Sequence, residues 1–502
     1  MKELARVRRR AVFQMMALWM AVGVGALWVG TPQAHPDGPT LPQTGRPTPP
    51  ALLTGDWQGT LDTGATRLRL VFHVAAAGQG VGQGSTSLSA TLDSVDQQVT
   101  GVPIPSVTSD GDQVSFTIPS ILGGYTGALT ADGQSLRGTW TQAGQARPLT
   151  LARVTTAQLW AEQARPQTPR PPFPYRAVDV AYDNPRAPGV RLAGTLTLPL
   201  GKGPFPAALL ITGSGPQDRD ETIDGHKPFL VLADALARRG IAVLRVDDRG
   251  VGRSTGDFDA ATTPDFATDA AAGVAYLRTR ADIDPARIGL IGHSEGGLIA
   301  PMVADRDPAI AWLVLMAGPG VDGEHILLTQ KRLIAGATGV GPSGAERLVD
   351  MDRREYAIVK QETDAERARA RLRILLQGGI IGGDNHVATS EALIEAVTKP
   401  WYRWFLTYDP APTLRTLRLP VLALVGSKDL QVSAAENLPA LRAALASDPQ
   451  AEVREVPGLN HMFQTADTGA PTEYARIPQT IAPMALDLIT DWVAAHSGHP
   501  EP

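Results

Sequence analysis

The chain of 502 residues is long enough for two or three domains, and its 43% hydrophobic and 19% charged residues are typical of a globular protein. It contains no cysteine, which excludes disulfides, cysteine-ligated metal centres, thiol catalysis and a lipid-modified cysteine anchor. The net charge is −5, and this acidic balance argues against nucleic acid as a partner.

The first 34 residues have the pattern of an export signal. They carry five basic and one acidic side chains, and an apolar run from residue 11 to residue 30 follows the arginine cluster. We expect cleavage after Ala34, which would take the net charge from −5 to −9. Because the apolar run is long, an uncleaved anchor in the inner membrane is the alternative. The expected location is therefore the periplasm or the medium.

A Pro-rich tether is predicted for residues 35–53, and a small antiparallel β domain, either a barrel or a sandwich, for residues 54–154. In residues 54–154, apolar and polar residues alternate within short runs, and Asp-Gly pairs lie between some of these runs. Trp57 and Trp140 are interpreted as core residues rather than ligand-stacking ones. His73 lies on the polar side of its run, which favours a surface position.

Residues 155–175 are rich in proline and predict a stiff linker. From residue 176 to residue 498, short apolar strands alternate with amphipathic helices. This alternation predicts a mostly parallel sheet with helices on both faces and functional groups at the carboxyl ends of the strands.

A helix-rich, charged segment interrupts the alternation between about residues 321 and 415. An insertion of this size at the edge that carries the functional loops predicts a lid over the site. Its aromatic residues Trp401, Trp404 and Phe405 either line a substrate pocket or pack the lid onto the body of the domain.

A Gly-x-Ser-x-Gly pattern, formed by Gly292, Ser294 and Gly296, lies between a predicted strand and a predicted helix. Small residues on both sides of such a serine relieve crowding in a tight turn and leave the hydroxyl exposed. The pattern predicts a nucleophile at Ser294. His293, beside the serine, is expected to shape the turn rather than act as a base.

A nucleophilic serine needs a base, and the base needs an acid that orients it. In a hydrolase built on a parallel sheet, the acid follows the serine in the chain and the histidine follows the acid. Each of these residues lies just after a strand. Asp429 and His461 occupy such positions. Two backbone N–H groups should stabilise the oxyanion, and Glu295 and Ser214 are the predicted donors.

The sequence contains no metal-binding motif, and the glycine-rich stretch 250–254 lacks the lysine of a phosphate-binding loop. We therefore expect neither a metal nor a phosphate cradle. Asp247, Asp248 and Arg249 are interpreted as charges that brace a loop.

Residues 176–495 resemble the α/β-hydrolase superfamily, and within it the exported bacterial esterases and the serine aminopeptidase-like (S33) hydrolases. The matching motifs lie at residues 213–220, 247–254, 292–297, 426–429 and 460–461. The resemblance implies that Ser294, Asp429 and His461 form a catalytic triad that needs no cofactor. Thr212 is a departure, because many relatives carry histidine there.

The leading hypothesis is an exported carboxylesterase that forms an acyl-enzyme on Ser294. A serine aminopeptidase that acts on short peptides would use the same residues, with Glu295 or acidic lid residues as the anchor for the substrate amine. A third hypothesis is a surface-binding protein without catalytic activity. The expected partner is a small ester or a short peptide, and membrane contact is expected only through the N-terminal anchor.

Overall fold

The computed structural model describes most of the chain beyond the N-terminal segment. The described residues are 52–62, 67–76, 88–95, 99–121, 123–142, 145–155, 165–377, 391 and 393–498. The predicted signal, most of the tether and the glycine-rich break at 378–384 lie outside them. Within the described part, no helix combines the length and the apolar character needed to cross a membrane.

The described residues up to 155 form an antiparallel unit of their own. Its strands are β1 (Gly55–Asp62), β2 (Arg67–Ala76), β3 (Leu88–Ser94), β4 (Val99–Ile104), β5 (Ser106–Asp110), β6 (Gln113–Ile118), β7 (Gly123–Leu129), β8 (Ser135–Gln142) and β9 (Gln145–Val154). They pair in the order β4-β3-β2-β1-β9-β8-β7-β6-β5. Only Pro105 separates β4 from β5, so the two edge strands are consecutive in the chain. The prediction of a separate all-β region is confirmed.

Aromatic residues fill the core of this unit. Trp57 and Trp140 are buried, together with Phe72, Phe116 and Tyr125. The rings of Phe72 and Phe116 lie 5.0 Å apart, and the indole Nε1 of Trp57 donates to a backbone carbonyl at 2.9 Å. These two tryptophans therefore act as core residues, because large rings on one side of a curved sheet bury much apolar area.

His73 differs from the simple surface residue that its register predicts. Its ring lies between two carboxylates, with Nδ1 2.7 Å from Asp56 and Nε2 3.1 Å from Asp93. The hydrogen bond that His73 donates to Asp93 and the further contact with Asp56 outweigh the effect of burial and raise the pKa of His73 to about 9. The side chain is about one-third exposed. It is therefore a partly buried cation.

The second unit comprises the residues from Arg165 onward. Its strands are β10 (Tyr175–Asp183), β11 (Arg191–Pro199), β12 (Phe205–Ile211), β13 (Ala242–Val246), β14 (Ile283–His293), β15 (Leu313–Met316), β16 (Val421–Gly426) and β17 (Ala451–Val456). They pair in the order β10-β11-β13-β12-β14-β15-β16-β17. The first two strands are antiparallel to their neighbours, and the rest are parallel.

Helices cover both faces of this sheet. Among the described residues, the helices of this unit in chain order are α1 (Pro228–Arg238), α2 (Thr263–Arg278), α3 (Gly296–Arg306), α4 (Gly323–Ala337), α5 (Pro342–Gln361), α6 (Ala365–Gln377), α7 (Pro400–Thr407), α8 (Ala411–Thr416), α9 (Ala434–Ala444) and α10 (Pro483–His496). Residues of α2, α3 and α9 join one core and residues of α1 and α10 the other. Strands β12, β15 and β16 are consequently buried along their whole lengths, as parallel strands with two covered faces require.

The predicted linker 155–175 does not extend to residue 175, because the second unit begins at Arg165. The guanidinium of Arg165 donates to the backbone carbonyls of Asp224 and Ala475 at 2.7 and 2.8 Å. The side chain of Gln167 accepts from the backbone N–H groups of Thr480 and Ile481. These contacts fix the second half of the Pro-rich segment to the second unit.

The parallel strands β12 to β17 end at one edge of the sheet, and the predicted site residues lie in the loops that follow them. The helices α4 to α8 occupy the chain between β15 and β16, which matches the insertion predicted at about 321–415. The α/β class of this unit is confirmed.

Candidate active site

Ser294 lies in the turn between β14 and α3. Its φ is 53°, which L-residues rarely adopt, and its backbone N–H donates to the carbonyl of Met316 at 2.8 Å. Such strain costs of order 1–3 kcal/mol and persists only where the surroundings enforce it. Ser294 is partly exposed although its neighbours in the chain are buried. The turn therefore presents the hydroxyl at the functional edge of the sheet.

The two glycines of the turn are required by close backbone approaches. A Cβ atom on Gly292 would lie 2.0 Å from the carbonyl oxygen of Gly296, and a Cβ atom on Gly296 would lie 2.2 Å from that of Ile211. No side chain fits at either distance. The Gly-x-Ser-x-Gly pattern thus reflects the packing of the turn against β12.

Asp429 and His461 are in direct contact. Nδ1 of His461 lies 2.8 Å from Oδ2 of Asp429, and both side chains are buried. The other carboxylate oxygen of Asp429 accepts from the backbone N–H groups of Gln431 and Val432, each at 2.8 Å. A neutral His461 therefore carries its proton on Nδ1 and its lone pair on Nε2, the form that can accept a proton from a hydroxyl.

The loop after β12 lies against the serine, since a Cβ atom on Gly213 would be 3.1 Å from Cβ of Ser294. The N–H of Gly213 donates to Oε1 of Glu221 at 2.8 Å, so it is already used. Among the described residues, the backbone N–H groups of Ser214 and Glu295 donate to no acceptor. These two groups, the predicted pair, are the candidates for binding an oxyanion.

His293 is buried and uses both ring nitrogens. Nδ1 lies 2.9 Å from Oε1 of Glu221, and Nε2 lies 3.0 Å from the backbone carbonyl oxygen of His461. The rings of His293 and His461 are 4.9 Å apart. Burial lowers the pKa of His293, but the nearby Glu221 carboxylate outweighs it, so that the pKa is raised. Both ring nitrogens of His293 are therefore engaged, one with Glu221 and one with the backbone of His461.

The side chain of Glu295 is buried directly after the serine. Its Oε1 accepts from the hydroxyl of Thr263 at 2.6 Å and from the indole Nε1 of Trp401 at 2.7 Å. Burial raises the pKa of Glu295, although these bonds and one from the Ser214 side chain oppose the rise. One carboxyl thus connects the turn, the start of α2, helix α7 and the loop after β12.

The other predicted pocket residues belong to the same helix as Trp401. Phe405 stacks on Trp401 at 4.9 Å and is buried. Trp404 stacks on Tyr408 at 4.4 Å and packs against the main core. Of the three predicted pocket residues, Trp401 is the one that contacts the turn by a hydrogen bond.

The charges after β13 brace the loops, as their sequence pattern predicts. Arg219 forms a bidentate salt bridge with Asp247: its Nε donates to Oδ1 at 3.0 Å and its Nη2 donates to Oδ2 at 2.8 Å. Asp248 accepts from Thr212 and from the backbone of Gln217, each at 2.8 Å, and burial raises its pKa well above the usual range. Thr212 thus takes part in this network through its hydroxyl group.

A small cavity lies behind the loop after β12. Gly213, Asp248 and Glu295 line it together with apolar residues, among them Phe258 and Phe266. Ser294, Asp429 and His461 do not line it. In the part of the chain that the structure describes, no three His, Asp or Glu side chains come together as a metal site.

The sequence interpretation missed Glu221, which contacts two parts of the site. Glu221 directly follows the motif at 213–220, and its φ of 52° is unusual for a residue with a side chain. An acidic residue in a loop does not by itself indicate a role in the site, because the contacts of Glu221 depend on its burial in the folded protein. Thr263 was missed for the same reason, because a threonine at the start of a helix normally only caps it.

The sheet topology, the strained serine turn and the Asp429–His461 pair define a hydrolase of the α/β-hydrolase superfamily. Residues 188–444 match the X-Pro dipeptidyl-peptidase (S15) family, and the chain belongs to that family. The matched region includes Ser294 and Asp429 and ends before His461.

Esterase EstD of Thermotoga maritima is 26% identical over 303 residues, which are 60% of this chain and 65% of EstD. The hydrolase YtaP of Bacillus subtilis, whose activity its name marks as putative, is 29% identical over 26% of this chain and 49% of YtaP. The chain thus spans less than two thirds of the length of these relatives. A solved structure of the Pyrococcus furiosus esterase Pf2001 is 16% identical, with a TM-score of 0.38, over 56% of this chain and 82% of that one.

Proposed function

We propose that the protein is an exported serine hydrolase that cleaves carboxylic esters through an acyl-enzyme intermediate. His461 takes the proton of Ser294, and Ser294 attacks the acyl carbon. Asp429 holds the imidazole, and the backbone N–H groups of Glu295 and Ser214 stabilise the oxyanion. His461 then protonates the leaving alcohol, and water releases the acid from Ser294.

The hydrogen bond of 2.8 Å between His461 and Asp429 carries this proposal. It assigns the proton of a neutral ring to Nδ1, and Ser294 has the strained φ of a tight turn that presents its side chain. The likeness to EstD favours an ester as substrate.

A peptidase acting on short peptides is the second candidate, and the match to the X-Pro dipeptidyl-peptidase family favours it. Both reactions use the same residues and differ in the leaving group. Purified protein should be assayed on p-nitrophenyl acetate and butyrate, and in parallel on aminoacyl- and aminoacyl-prolyl-p-nitroanilides. Activity on the anilides alone would replace the esterase proposal by the peptidase.

The nucleophile is tested by Ser294→Ala, which should lower kcat by about 10³-fold or more. Ser343→Ala, at an exposed serine of α5 far from the turn in sequence, is the matched control. A fluorophosphonate probe should label the wild type and Ser343→Ala but not Ser294→Ala. An unlabelled wild type would support the binding-protein alternative, and hydrolysis within about tenfold of wild type in Ser294→Ala would exclude Ser294 as nucleophile.

The helices between β15 and β16 are proposed to form the lid. The hydrogen bond from Trp401 to Glu295 supports this role, because it connects α7 with the residue after the nucleophile. A lid that closes over a site excludes water and selects the acyl or leaving group.

Export is proposed from the N-terminal sequence, and the periplasm or the medium is the proposed location. Cell fractionation followed by N-terminal mass spectrometry tests both points. A mature protein that begins at His35 would support cleavage after Ala34, whereas Met1 in the membrane fraction would support the anchor. Full-length protein in the cytosol would contradict export.

A further inference from the structure

His293 and Glu221 form a buried pair next to the proposed catalytic residues. Both are almost fully excluded from solvent, with exposed fractions of 3% and 1%. His293 is the last residue of β14 and immediately precedes Ser294, whereas Glu221 lies in the loop after β12. The proposed reaction uses neither side chain, so the pair needs a separate explanation.

The hydrogen bonds of His293 indicate its protonation state. A backbone carbonyl oxygen can only accept, so Nε2 must donate its proton to the carbonyl of His461 at 3.0 Å. Oε1 of Glu221 already accepts from the backbone N–H of Gly213 at 2.8 Å, and it lies 2.9 Å from Nδ1. An oxygen that accepts from two N–H groups suits a carboxylate. Nδ1 is then also a donor, and the ring carries both protons.

The pair joins three segments that carry the proposed chemistry. Through Glu221 it holds the backbone N–H of Gly213, the residue that precedes Ser214 in the loop. Through the carbonyl of His461 it holds the turn that presents the proposed base. Because His293 is bonded directly to Ser294 in the chain, all these contacts converge on the serine turn.

We propose that His293 is a positioning residue, held as an imidazolium between Glu221 and the carbonyl of His461. It keeps the proposed base His461 and the loop that carries the Ser214 N–H at the distances from Ser294 that the reaction requires. This inference rests on the proposed function for its effect on rate, but not for the protonation state itself. Loss of one ring proton would remove one of the two hydrogen bonds and leave a nitrogen lone pair facing an acceptor oxygen. The His461 turn or the Gly213 loop would then move, and a shift of about 1 Å near reacting groups can cost about 10²-fold in rate.

The charged and titratable groups around His293 set the sign of the pH effect. They are Glu221 after β12, Asp429 after β16 and His461 after β17. Burial lowers the pKa of His293, and the two carboxylates raise it, with a net upward shift. The upward shift agrees with the doubly protonated ring that the two hydrogen bonds indicate, and this second ring proton is lost as the pH rises. Removal of the charge of Glu221 leaves burial in place, so the pKa of His293 should fall.

The protonation state can be tested without activity. In the full-length Ser294→Ala protein labelled with ¹⁵N-histidine, NMR near neutral pH should find protons on both ring nitrogens of His293. The resonances are assigned by their loss in a His293→Gln version of the same protein. A single ring proton on His293 would overturn the proposal, whatever the enzyme activity.

The positioning role is tested by Glu221→Gln, with Asp448→Asn as the control. Asp448 is likewise buried and accepts from backbone N–H groups, but it lies at the opposite end of β16. Glu221→Gln should lower kcat about 10- to 100-fold with little change in KM, and should move the alkaline decline of kcat down by at least about one pH unit.

An unchanged alkaline limb in Glu221→Gln would overturn the positioning role. If this variant does not fold, the NMR measurement on Ser294→Ala decides the proposal. Failure of the proposed function has a different signature, because it would appear as retained hydrolysis in Ser294→Ala while the protonation of His293 remained as described.

Discussion

The indole Nε1 of Trp401 donates a hydrogen bond of 2.7 Å to Oε1 of Glu295, so that the inserted helix α7 is bonded to the residue that follows Ser294. The carboxyl group is buried, and Thr263 donates to the same oxygen. A movement of α7 away from the sheet would therefore leave a buried carboxyl with one donor fewer, which is unfavourable. The contact gives the proposed lid a preferred closed position.

Trp401→Phe keeps the ring stacked on Phe405 and removes only the indole donor. Because burial already raises the pKa of Glu295, loss of this bond should raise it further and weaken the closed position. We expect KM for p-nitrophenyl butyrate to rise about threefold to tenfold, with a smaller change in kcat. This rise corresponds to about 0.7–1.4 kcal/mol, which is the net contribution of a typical hydrogen bond. Steady-state kinetics check this.

Trp492→Phe is the matched control for that variant. Trp492 also donates to a carboxylate, Glu452 at 2.9 Å, but it lies on α10. Loss of the hydrogen bond between Trp492 and Glu452 should leave KM for p-nitrophenyl butyrate unchanged. Equal effects of the two substitutions would argue against a specific role of the Trp401 contact.

Asp429→Asn tests the orientation of the proposed base. The asparagine can still accept from the backbone of Gln431 and Val432, but its NH₂ group would then face Nδ1 of His461. The ring would have to place its proton on Nε2, and it could not accept the proton of Ser294. We expect kcat to fall by about 10³- to 10⁴-fold. Thermal unfolding should show that the variant is folded, and activity within tenfold of wild type would contradict the assignment.

Some parts of the site could be predicted from the sequence because they depend on local pattern and strand order. Gly292 and Gly296 bracket the serine since backbone atoms approach them closely, and such a requirement leaves a visible pattern. The proximity of Asp429 and His461 follows from two strands whose carboxyl ends meet at one edge of a parallel sheet.

Other parts could not be predicted because they depend on contacts between residues far apart in sequence. Glu221 looks like any loop acid until the fold buries it against His293, 72 residues further along the chain. Arg165 resembles a linker residue, but its guanidinium binds the carbonyl of Ala475, 310 residues away. The proline content predicts that residues 155–175 form a stiff segment, but it does not indicate which surface this segment contacts.

The packing of the serine turn predicts opposite effects of two glycine-to-alanine substitutions. Gly296→Ala would place a methyl group 2.2 Å from the carbonyl oxygen of Ile211, whereas a Cβ atom on Gly336, exposed on α4, meets no atom within 4 Å. Gly296→Ala should destabilise the protein by about 1–3 kcal/mol. Gly336→Ala should stabilise it by about 0.5–1 kcal/mol, since alanine favours a helix. Calorimetry of the unfolding transition checks both, and a destabilising Gly336→Ala would contradict the packing described.

The β domain should lose stability at alkaline pH because of His73. Its bonds to Asp93 and Asp56 raise its pKa to about 9, above the value of about 6.5 expected in an unfolded chain. A raised pKa means that the stabilising contribution is complete below about pH 6.5 and is lost as the pH rises through about 9. The urea midpoint of the β-domain transition should therefore fall between these pH values in the wild type.

His73→Gln removes the titrating group and should abolish that fall, with a lower midpoint at acidic pH. His325→Gln is the control, because His325 also faces a carboxylate, Glu436 at 3.3 Å, but belongs to the other unit. Far-UV circular dichroism together with the fluorescence of the buried Trp57 and Trp140 follows the transition. Since the side chain of His73 is about one-third exposed, added salt should weaken the pH effect. An identical pH dependence in wild type and His73→Gln would show that the contacts with Asp56 and Asp93 contribute nothing to the stability of the β domain.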